Sequence, residues 1–380
     1  MKIVLAPDKM KGSLTATQAA AALERGFRSQ WPDASFRTCP IADGGEGTAR
    51  TLCDALRGEW VTRTVRGPMG KPVEAGYAWM AEQRLAVIEM SEASGLALVP
   101  EGERAPLHAS TFGTGELMHD AMERGARRLV LGLGGSATSD GGAGMAAALG
   151  YRFFTEEGSA IDPPTPARLP EAVRIDRENV PALPEVIAAC DVLNPLLGPR
   201  GAARLFSPQK GATPAEVEQL EAALTHLADL AARAGLPKAR ECPGAGAAGG
   251  LGFGLMAFCN AVVEPGFELV ASIIGLEAAI AGADLVITGE GSLDTQTLEG
   301  KGPVGVADLA RRHGKPVIAF GGRVAHDEPR LLERFDAVVP LAHGPMSLPD
   351  ALAHAERLLE AAAVRTARLC GVGKRFPGDR

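Results

Sequence analysis

Residues 131–144 of this 380-residue chain read LGLGGSATSDGGAG. The apolar pair Leu129-Val130 precedes this stretch, and the helix-forming residues 145–149 follow it. Glycines have no Cβ atom, so their backbone N–H groups can crowd around an oxyanion, and a helix that begins just afterwards adds the positive end of its dipole. The stretch therefore predicts a phosphate-binding loop between a strand and a helix.

Three further segments repeat this glycine-rich character, at residues 41–48, 244–252 and 288–294. Three of the four segments carry carboxylates among their glycines. A carboxylate repels phosphate unless a divalent cation or a substrate hydroxyl lies between them. Together the segments predict phosphoryl transfer with Mg²⁺.

Composition excludes several other classes. The net charge is −7 and only 4% of the residues are aromatic, which argues against a nucleic-acid-binding surface. The cysteines are scattered without a C-x-x-C pair, and the apolar run Ile3–Ala6 is too short for a signal peptide, so a cytoplasmic location is expected. Cys242–Val263 has no charged residue, but Pro243, its glycines and Asn260 favour a loop and a buried helix over a membrane span.

The two ends of the chain show an α/β pattern. Lys2–Ala6 is predicted as a strand, and Thr15 with Gln18 forms a capping box before a helix. Short apolar runs follow at residues 284–287, 316–320 and 337–341, as expected for a buried parallel sheet. Since ligands of open α/β sheets bind beyond the carboxyl ends of the strands, the loops that begin at residues 8, 43, 290 and 321 are expected along one rim.

The middle of the chain is richer in proline and contains a strongly helical stretch from Pro214 to Ala234. We expect two α/β domains. The first is discontinuous, built from residues 1–70 and 270–380, and the second is inserted at residues 71–269.

A dinucleotide site is the main alternative. Gly132, Gly134 and Ala137 match G-x-G-x-x-A after a strand, and Glu156 lies near the spacing of a ribose-binding acid. This pattern would suit a NAD-dependent dehydrogenase of a small hydroxy acid. Against it, Asp140 and two glycines fall where the helix should already be running. A nucleotide sensor without catalytic activity is a third alternative.

The sequence lacks the motifs that mark other classes of kinase and the serine hydrolases. The chain has no G-x-x-x-x-G-K-[ST] motif, no H-R-D or D-F-G motif and no G-x-S-x-G elbow. P-loop kinases, protein kinases and serine hydrolases are therefore not expected.

Seven segments, in order along nearly the whole chain, resemble the bacterial glycerate kinase family of the two-domain, non-P-loop type. They are residues 6–13, 42–48, 134–144, 190–195, 208–212, 243–250 and 287–294. The resemblance implies ATP-dependent phosphorylation of D-glycerate. It also implies a Rossmann-like parallel-sheet domain and a second, swivelling, flavodoxin-like α/β domain with the active site in a cleft.

The resemblance and the division of labour in phosphoryl transfer suggest roles for particular residues. Nucleotide phosphates would be bound by Gly134, Gly135, Ser136, Thr138, Gly246, Gly249 and Gly250. Asp191 would act as the base, Lys11 and Lys210 would pair with the carboxylate or the transferring phosphate, and Lys9, Asp43 and Asn194 would bind substrate. Glu290 and Asp294 would hold Mg²⁺, and the base and metal roles could be exchanged. Phosphorylation of the 2-hydroxyl is favoured over the 3-hydroxyl, no nucleic-acid or membrane partner is expected, and a homodimer remains open.

Overall fold

The structure is a computed structural model that describes residues 1–295, 297–299, 302–325 and 329–373. The chain packs into two compact units. The first contains residues 1–43, 54–56 and 267 onward, and the second contains residues 44–53 and 57–266. The sequence predicts domain boundaries at residues 70 and 270, whereas the units in the structure divide at residues 43 and 267.

In the described part of the chain the strands, numbered along the sequence, are β1 Lys2–Pro7, β2 Ser35–Thr38, β3 Glu59–Arg66, β4 Pro72–Met80, β5 Leu85–Glu89, β6 Arg128–Gly132, β7 Arg152–Phe154, β8 Arg174–Asp176, β9 Glu185–Ala189, β10 Val262–Glu264, β11 Leu285–Leu293, β12 Val317–Val324 and β13 Ala337–Pro340.

The α-helices of the same residues are α1 Ala16–Arg28, α2 Thr48–Ala55, α3 Met90–Ser94, α4 Phe112–Glu123, α5 Ala143–Ala148, α6 Ala202–Phe206, α7 Pro214–Arg233, α8 Ala247–Cys259, α9 Gly266–Ile273, α10 Leu276–Ala281, α11 Pro303–Arg312, α12 Leu331–Arg334, α13 Leu348–Ala353 and α14 Ala355–Gly373. Short 3-10 turns at Pro208–Lys210 and Thr297–Glu299 also matter for the site.

The first unit is built on a sheet in which every neighbouring pair of strands is parallel, in the order β13-β12-β11-β1-β2. The mixed α/β class with a parallel sheet is therefore confirmed. Numbered within this unit the order is 2-1-3-4-5, which is the flavodoxin-like arrangement rather than the classic Rossmann order. In such sheets the strand order reverses between the first and third strands, here β1 and β11, and ligands bind beyond their carboxyl ends.

Local sequence explains the elements of this unit. Thr15 Oγ1 accepts from the N–H of Gln18 and the Gln18 side chain accepts from the N–H of Thr15, so the predicted capping box is confirmed at the start of α1. Leu23 and Phe27 on α1 are buried against the sheet and α14. The apolar runs predicted as strands become β11, β12 and β13.

The second unit contains a mixed six-stranded sheet in the order β10-β9-β6-β5-β4-β3. The strands β5, β6, β9 and β10 run parallel, whereas β3, β4 and β5 pair in the antiparallel sense. The flavodoxin-like order therefore belongs to the first unit and not to the inserted one. The predicted long helix becomes α7. A second capping box, formed by Thr213 and Glu216, lies at its start.

Cys242–Val263 forms a loop followed by α8, as the sequence predicts. Within the described residues, no helix combines the length and apolar character needed to cross a lipid bilayer.

Candidate active site

Two carboxylates stand side by side in the first unit, at the point where β1 ends and β11 continues beyond it. Asp8 directly follows β1, and Glu290 lies next to Gly289, the residue that pairs with Pro7. The N–H of Asp8 donates to the Gly289 carbonyl at 2.8 Å. This is the position at which the strand order reverses.

The surroundings of these two carboxyls favour their protonated forms. Burial raises the pKa of Asp8 to about 7, and the charge of Asp43 adds to this effect. Burial also raises the pKa of Glu290 to about 7, with further contributions from Asp8, Asp294 and Asp43, while a hydrogen bond from Thr297 opposes the rise. The charges of Asp43 and Asp294 are close enough to Glu290 to raise its pKa. The structure therefore brings these three predicted site residues near one another.

Thr297 joins the two predicted metal ligands. Its Oγ1 donates to Glu290 Oε1 at 2.7 Å and accepts from the N–H of Asp294 at 3.0 Å. Asp294 Oδ2 also accepts from Ser292 Oγ at 2.9 Å. Carboxylate oxygens crowded in this way are ligands that suit Mg²⁺, whose charge would offset their mutual repulsion.

The described residues contain no group of three or more acidic, histidine or cysteine side chains arranged to hold a metal ion. Mg²⁺ commonly uses one or two carboxylates and completes its shell with water and substrate phosphate. The donor chemistry of Glu290 and Asp294 fits that pattern.

The two predicted lysines of the first unit lie in the loop after β1. The Lys9 N–H donates to Asp8 Oδ1 at 2.6 Å, and the Lys9 side chain is half-buried. Lys11 is exposed, and its backbone nitrogen lies 3.1 Å from the position that a Cβ on Gly291 would take. Both lysines thus belong to the loop that begins beside Glu290.

In the second unit the predicted phosphate loop follows β6 and runs to the start of α5. Leu96 N–H donates to the Gly135 carbonyl at 2.7 Å and Ala137 N–H donates to the Ser94 carbonyl at 2.9 Å, which fixes the loop against the turn after α3. Gly135 has a φ of +66°, a conformation that suits glycine. Within the described residues, no group accepts a hydrogen bond from the N–H of Gly134, Gly135 or Ser136.

The other half of this loop is buried. Asp140 is fully buried, and its two carboxylate oxygens accept from Thr111 N–H and Oγ1, Gly142 N–H and Gly144 N–H at 2.8–3.1 Å. Burial raises its pKa and these donors oppose the rise. Both oxygens of Asp140 therefore shape this half of the loop through its own backbone and Thr111.

Thr138 and Lys210, both predicted to contact phosphate, meet each other in the interior. Lys210 Nζ donates to the Thr138 carbonyl at 2.6 Å, and 2% of Lys210 is exposed. Burial lowers the pKa of Lys210 to about 7, although Asp140 acts in the opposite direction. The Thr138 hydroxyl is buried and has no hydrogen-bond partner among the described residues.

The predicted nucleotide-binding glycines of the third segment are buried at the start of α8. Ala248, Gly249 and Gly250 have φ values of +52°, +68° and +88°, so the chain makes a left-handed turn there. A Cβ on Gly249 would lie 1.9 Å from the Thr138 carbonyl oxygen. Gly246 N–H donates to the Asn194 carbonyl at 2.9 Å. These glycines permit close packing against the phosphate loop and the segment around Asn194.

Asp191 follows β9, next to β6 in the sheet, and is half-buried. Its Oδ1 accepts from the Gly266 N–H at 3.0 Å. The side chain of Asn194, three residues on, donates to the Arg200 carbonyl at 2.7 Å and so shapes its own loop. Asp191 and the phosphate loop thus lie at the carboxyl ends of neighbouring strands.

Sequence reasoning assigned no role to Asp8. The available signal was a carboxylate immediately after a buried strand, which also marks Asp191. What the sequence lacks is the register of β1 against β11, which places Asp8 beside Glu290.

The geometry also weighs against the dinucleotide alternative. After Gly132 the chain continues as a loop until α5 begins at Ala143, so no helix N-terminus follows the G-x-G-x-x-A pattern. Glu156 is exposed in the turn after β7, which pairs with β8 in the antiparallel sense. Glu156 therefore follows a strand of a separate two-stranded sheet and not β9, the parallel neighbour of β6.

The fold and the site define an α/β protein with glycine-rich loops and carboxylates after parallel strands. A family model described as "Glycerate kinase family" matches residues 3–371. The chain therefore belongs to the glycerate kinase family, and it is a kinase of that family.

Individual relatives agree with this membership. The glycerate kinase of Halalkalibacterium halodurans is 47% identical over 365 residues, covering 95% of this chain and 96% of that protein. The glycerate kinase of Bacillus subtilis strain 168 is 45% identical over 372 residues, covering 97% and 96%. The glycerate 2-kinase of Escherichia coli K12 is 44% identical over 330 residues, covering 86% of each chain.

A crystal structure from Salmonella typhimurium LT2, described as that of a candidate glycerate kinase 2, has the same fold. It superposes with a TM-score of 0.91 at 43% identity, covering 99% of this chain and 100% of that one. The dehydrogenase alternative gains no support from these relatives.

Proposed function

We propose that this protein transfers the γ-phosphoryl group of ATP to D-glycerate and that the 2-hydroxyl is the acceptor. The observation that carries the proposal is the set of three N–H groups at Gly134, Gly135 and Ser136, next to the carboxyl end of β6, from which no described residue accepts a hydrogen bond. Backbone donors of this kind suit phosphate oxygens. Family membership supports glycerate as acceptor, and the name of the Escherichia coli relative supports the 2-hydroxyl.

The nucleotide side of the proposal rests on the second unit. The N–H groups of Gly134–Ser136 and the Ser136 hydroxyl bind ATP phosphates. Because Thr138 and Lys210 are buried and bonded to each other, they hold the loop in shape rather than touching phosphate. Gly249 and Gly250 act in the same way, by allowing α8 to pack against the Thr138–Gly141 backbone, and Gly246 fixes the neighbouring loop.

The metal and substrate groups complete the assignment. Glu290 and Asp294 hold the Mg²⁺ that accompanies ATP, which when bound neutralises charge on the transferring phosphoryl group. Lys11, with Lys9, pairs with the glycerate carboxylate, and Asp43 and Asn194 position the substrate.

Asp191 accepts the proton of the attacking hydroxyl. Its Oδ1 accepts the Gly266 N–H, which holds the carboxylate in one orientation. Asp8 is the second acid that we consider for proton transfer, because its raised pKa lies near neutral pH, where a general base works best.

The test is to incubate the purified protein with ATP, Mg²⁺ and D-glycerate while following ADP release and the phosphorus spectrum of the product. We expect ADP release that depends on glycerate and on Mg²⁺, and a resonance of 2-phosphoglycerate. A product phosphorylated at the 3-hydroxyl would refute the regiochemistry alone. Absence of turnover, together with NADH fluorescence when NAD⁺ and glycerate are supplied, would refute the kinase proposal.

A further inference from the structure

Glu89 is a buried carboxylate that none of the roles above uses. It is the last residue of β5, whose residues are all buried, and 5% of it is exposed. Glu89 pairs with Gly132, which in turn pairs with Ala189 on β9. It therefore lies at the carboxyl end of the same sheet that carries the phosphate loop and Asp191.

Both oxygens of Glu89 bind the backbone of the glycine-rich segment that follows Asp43. Oε2 accepts from the Gly47 N–H at 3.0 Å, and Oε1 accepts from the Ala49 N–H at 2.7 Å. These N–H groups belong to the start of α2, where a helix leaves donors unsatisfied and where a negative charge is favoured. A side chain far away in sequence thus caps this helix and holds residues 44–49.

The held segment touches the proposed phosphate loop. A Cβ on Gly132 would lie 3.2 Å from the Gly44 carbonyl oxygen and 3.4 Å from Glu89 Cγ, and a Cβ on Gly134 would lie 3.8 Å from Gly45 Cα. Residues 44–47 are therefore packed directly on the strand end and loop that carry the N–H groups of Gly134, Gly135 and Ser136.

The same segment also touches the backbone that orients Asp191. A Cβ on Gly44, where φ is +83°, would lie 2.8 Å from Gly266 Cα and 3.5 Å from the Ala189 Cβ. Gly266 is the residue whose N–H donates to Asp191 Oδ1. A shift of the 44–47 backbone would thus reach both the phosphate loop and Asp191.

We infer that Glu89 is a positioning residue for the kinase reaction: by accepting from Gly47 and Ala49 it fixes residues 44–49 against both the Gly134 loop and the Gly266–Asp191 hydrogen bond. It touches neither substrate nor nucleotide. The inference rests on the proposed function, because the groups that it positions are those assigned to phosphate and to the base.

The decisive variant is Glu89→Gln, which keeps the length of the side chain. A carboxamide has one acceptor oxygen, so its NH₂ group must face one of the two backbone N–H groups, and the charge at the start of α2 is lost. We expect the KM for ATP to rise at least about fivefold, because the Gly134 loop is loosened, and kcat to fall at least about tenfold, because Asp191 is no longer held, with the KM for glycerate within about twofold of wild type.

Two controls separate positioning from loss of folded protein. Glu185→Gln makes the same change at the opposite end of the sheet, where the carboxylate is exposed and pairs with Arg128, and it should leave all three constants unchanged. Val87→Ala removes core volume two residues before Glu89 on β5 but spares its carboxylate. It should lower kcat only as far as folded protein is lost, with both KM values unchanged.

The measured constants distinguish a positioning role of Glu89 from a purely structural one. A Glu89→Gln protein that is folded by near-UV circular dichroism and has wild-type constants would refute the inference, as would a fall in kcat alone that matches Val87→Ala. If Glu89→Gln does not fold, Glu89→Asp takes its place. Its shorter chain cannot span both N–H groups, so the same rise in ATP KM is expected and wild-type constants would refute the inference. Failure of the proposed function would instead show as a wild-type protein without glycerate-dependent ADP release.

Discussion

The ammonium nitrogen of Lys210 lies 2.6 Å from the carbonyl oxygen of Thr138, across 72 residues of sequence and in the interior of the second unit. This carbonyl is also the group against which Gly249 packs. One backbone oxygen of the phosphate loop therefore joins the loop to the turn at Pro208–Lys210 and to the start of α8.

Replacement of Lys210 with Met should change how stability depends on pH. Burial lowers the pKa of Lys210 from 10.5 to about 7, so between these values the unfolded chain is protonated at this site and the folded chain is not. The unfolded state then binds more protons, and the unfolding free energy of the wild type should rise with pH by up to about 1.4 kcal/mol per pH unit. This contribution should be missing in Lys210→Met.

The measurement is urea denaturation of both proteins at about pH 7.5, 8.5 and 9.5. The wild-type minus variant difference in unfolding free energy should grow with pH, whereas parallel curves would contradict the prediction. Lys238→Met removes an exposed lysine and serves as the control. The ATP KM of Lys210→Met should also rise, because the loop loses a fixed point.

Replacement of Asp8 with Asn should stabilise the protein at slightly alkaline pH while lowering its activity. Burial raises the pKa of Asp8 from 3.8 to about 7, so within this window the folded state binds more protons and wild-type stability falls as pH rises. At about pH 8 the variant avoids a buried charge and should gain roughly 1–3 kcal/mol. Turnover should fall because a carboxylate beside Glu290 is lost.

Thermal and chemical unfolding at about pH 5 and pH 8, with initial rates on the same samples, test this prediction. The gain should be largest at the higher pH. A variant that is less stable than wild type at both values would show that Asp8 contributes a net favourable interaction instead. Asp33→Asn, at an exposed position, controls for the change of charge.

Replacement of Asp191 with Asn should separate proton transfer from structure. The asparagine oxygen can still accept the Gly266 N–H, so the loop contact is retained while the basic carboxylate is lost. We expect kcat to fall by about 100-fold or more, with ATP affinity within about threefold of wild type. Asp229→Asn on α7, an exposed acid paired with Arg240, is the control, and an unchanged kcat in Asp191→Asn would remove this residue from the chemistry.

Replacement of Gly249 with Ala should destabilise the protein far more than the same change at Gly235. Both glycines have left-handed φ values, +68° and +73°, so the backbone strain of an added Cβ is similar. At Gly249 the Cβ would lie 1.9 Å from the Thr138 carbonyl oxygen, whereas nothing lies within 4 Å at Gly235. We expect about 1 kcal/mol of destabilisation at Gly235 and at least about 3 kcal/mol at Gly249, measured by urea unfolding. Equal losses would contradict this packing.

Local patterns in the sequence were enough to predict several elements. The capping box at Thr15 and Gln18 depends on residues three apart, and the apolar runs that become β11–β13 depend on a pattern within a few residues. Such signals need no knowledge of the rest of the chain. For this reason the α/β class and the positions of the loops could be predicted.

The environments of the site residues could not be predicted in the same way. The sequence of a glycine-rich loop is the same whether its hydroxyls face a ligand or the protein interior. Thr138 is buried by contacts with Lys210 and Gly249, which lie far from it along the chain. The burial of Asp140 could not be predicted for the same reason, since Thr111, far from it in sequence, supplies two of its donors. In the sequence Glu89 is a single acidic residue at the end of an apolar run. This pattern does not reveal that its side chain caps α2.

The pairing of β1 with β11 bears on the order in which the chain can fold during synthesis. A ribosome that has made residues 1–266 has produced every strand of the six-stranded sheet but only β1 and β2 of the parallel one. Ile3, Val4 and Leu5, all buried in the finished protein, face residues 285–287 and must wait for them. The second unit can therefore complete its sheet first, while the apolar β1 keeps one unpaired edge, open to chaperones or to aggregation, until the last third of the chain emerges.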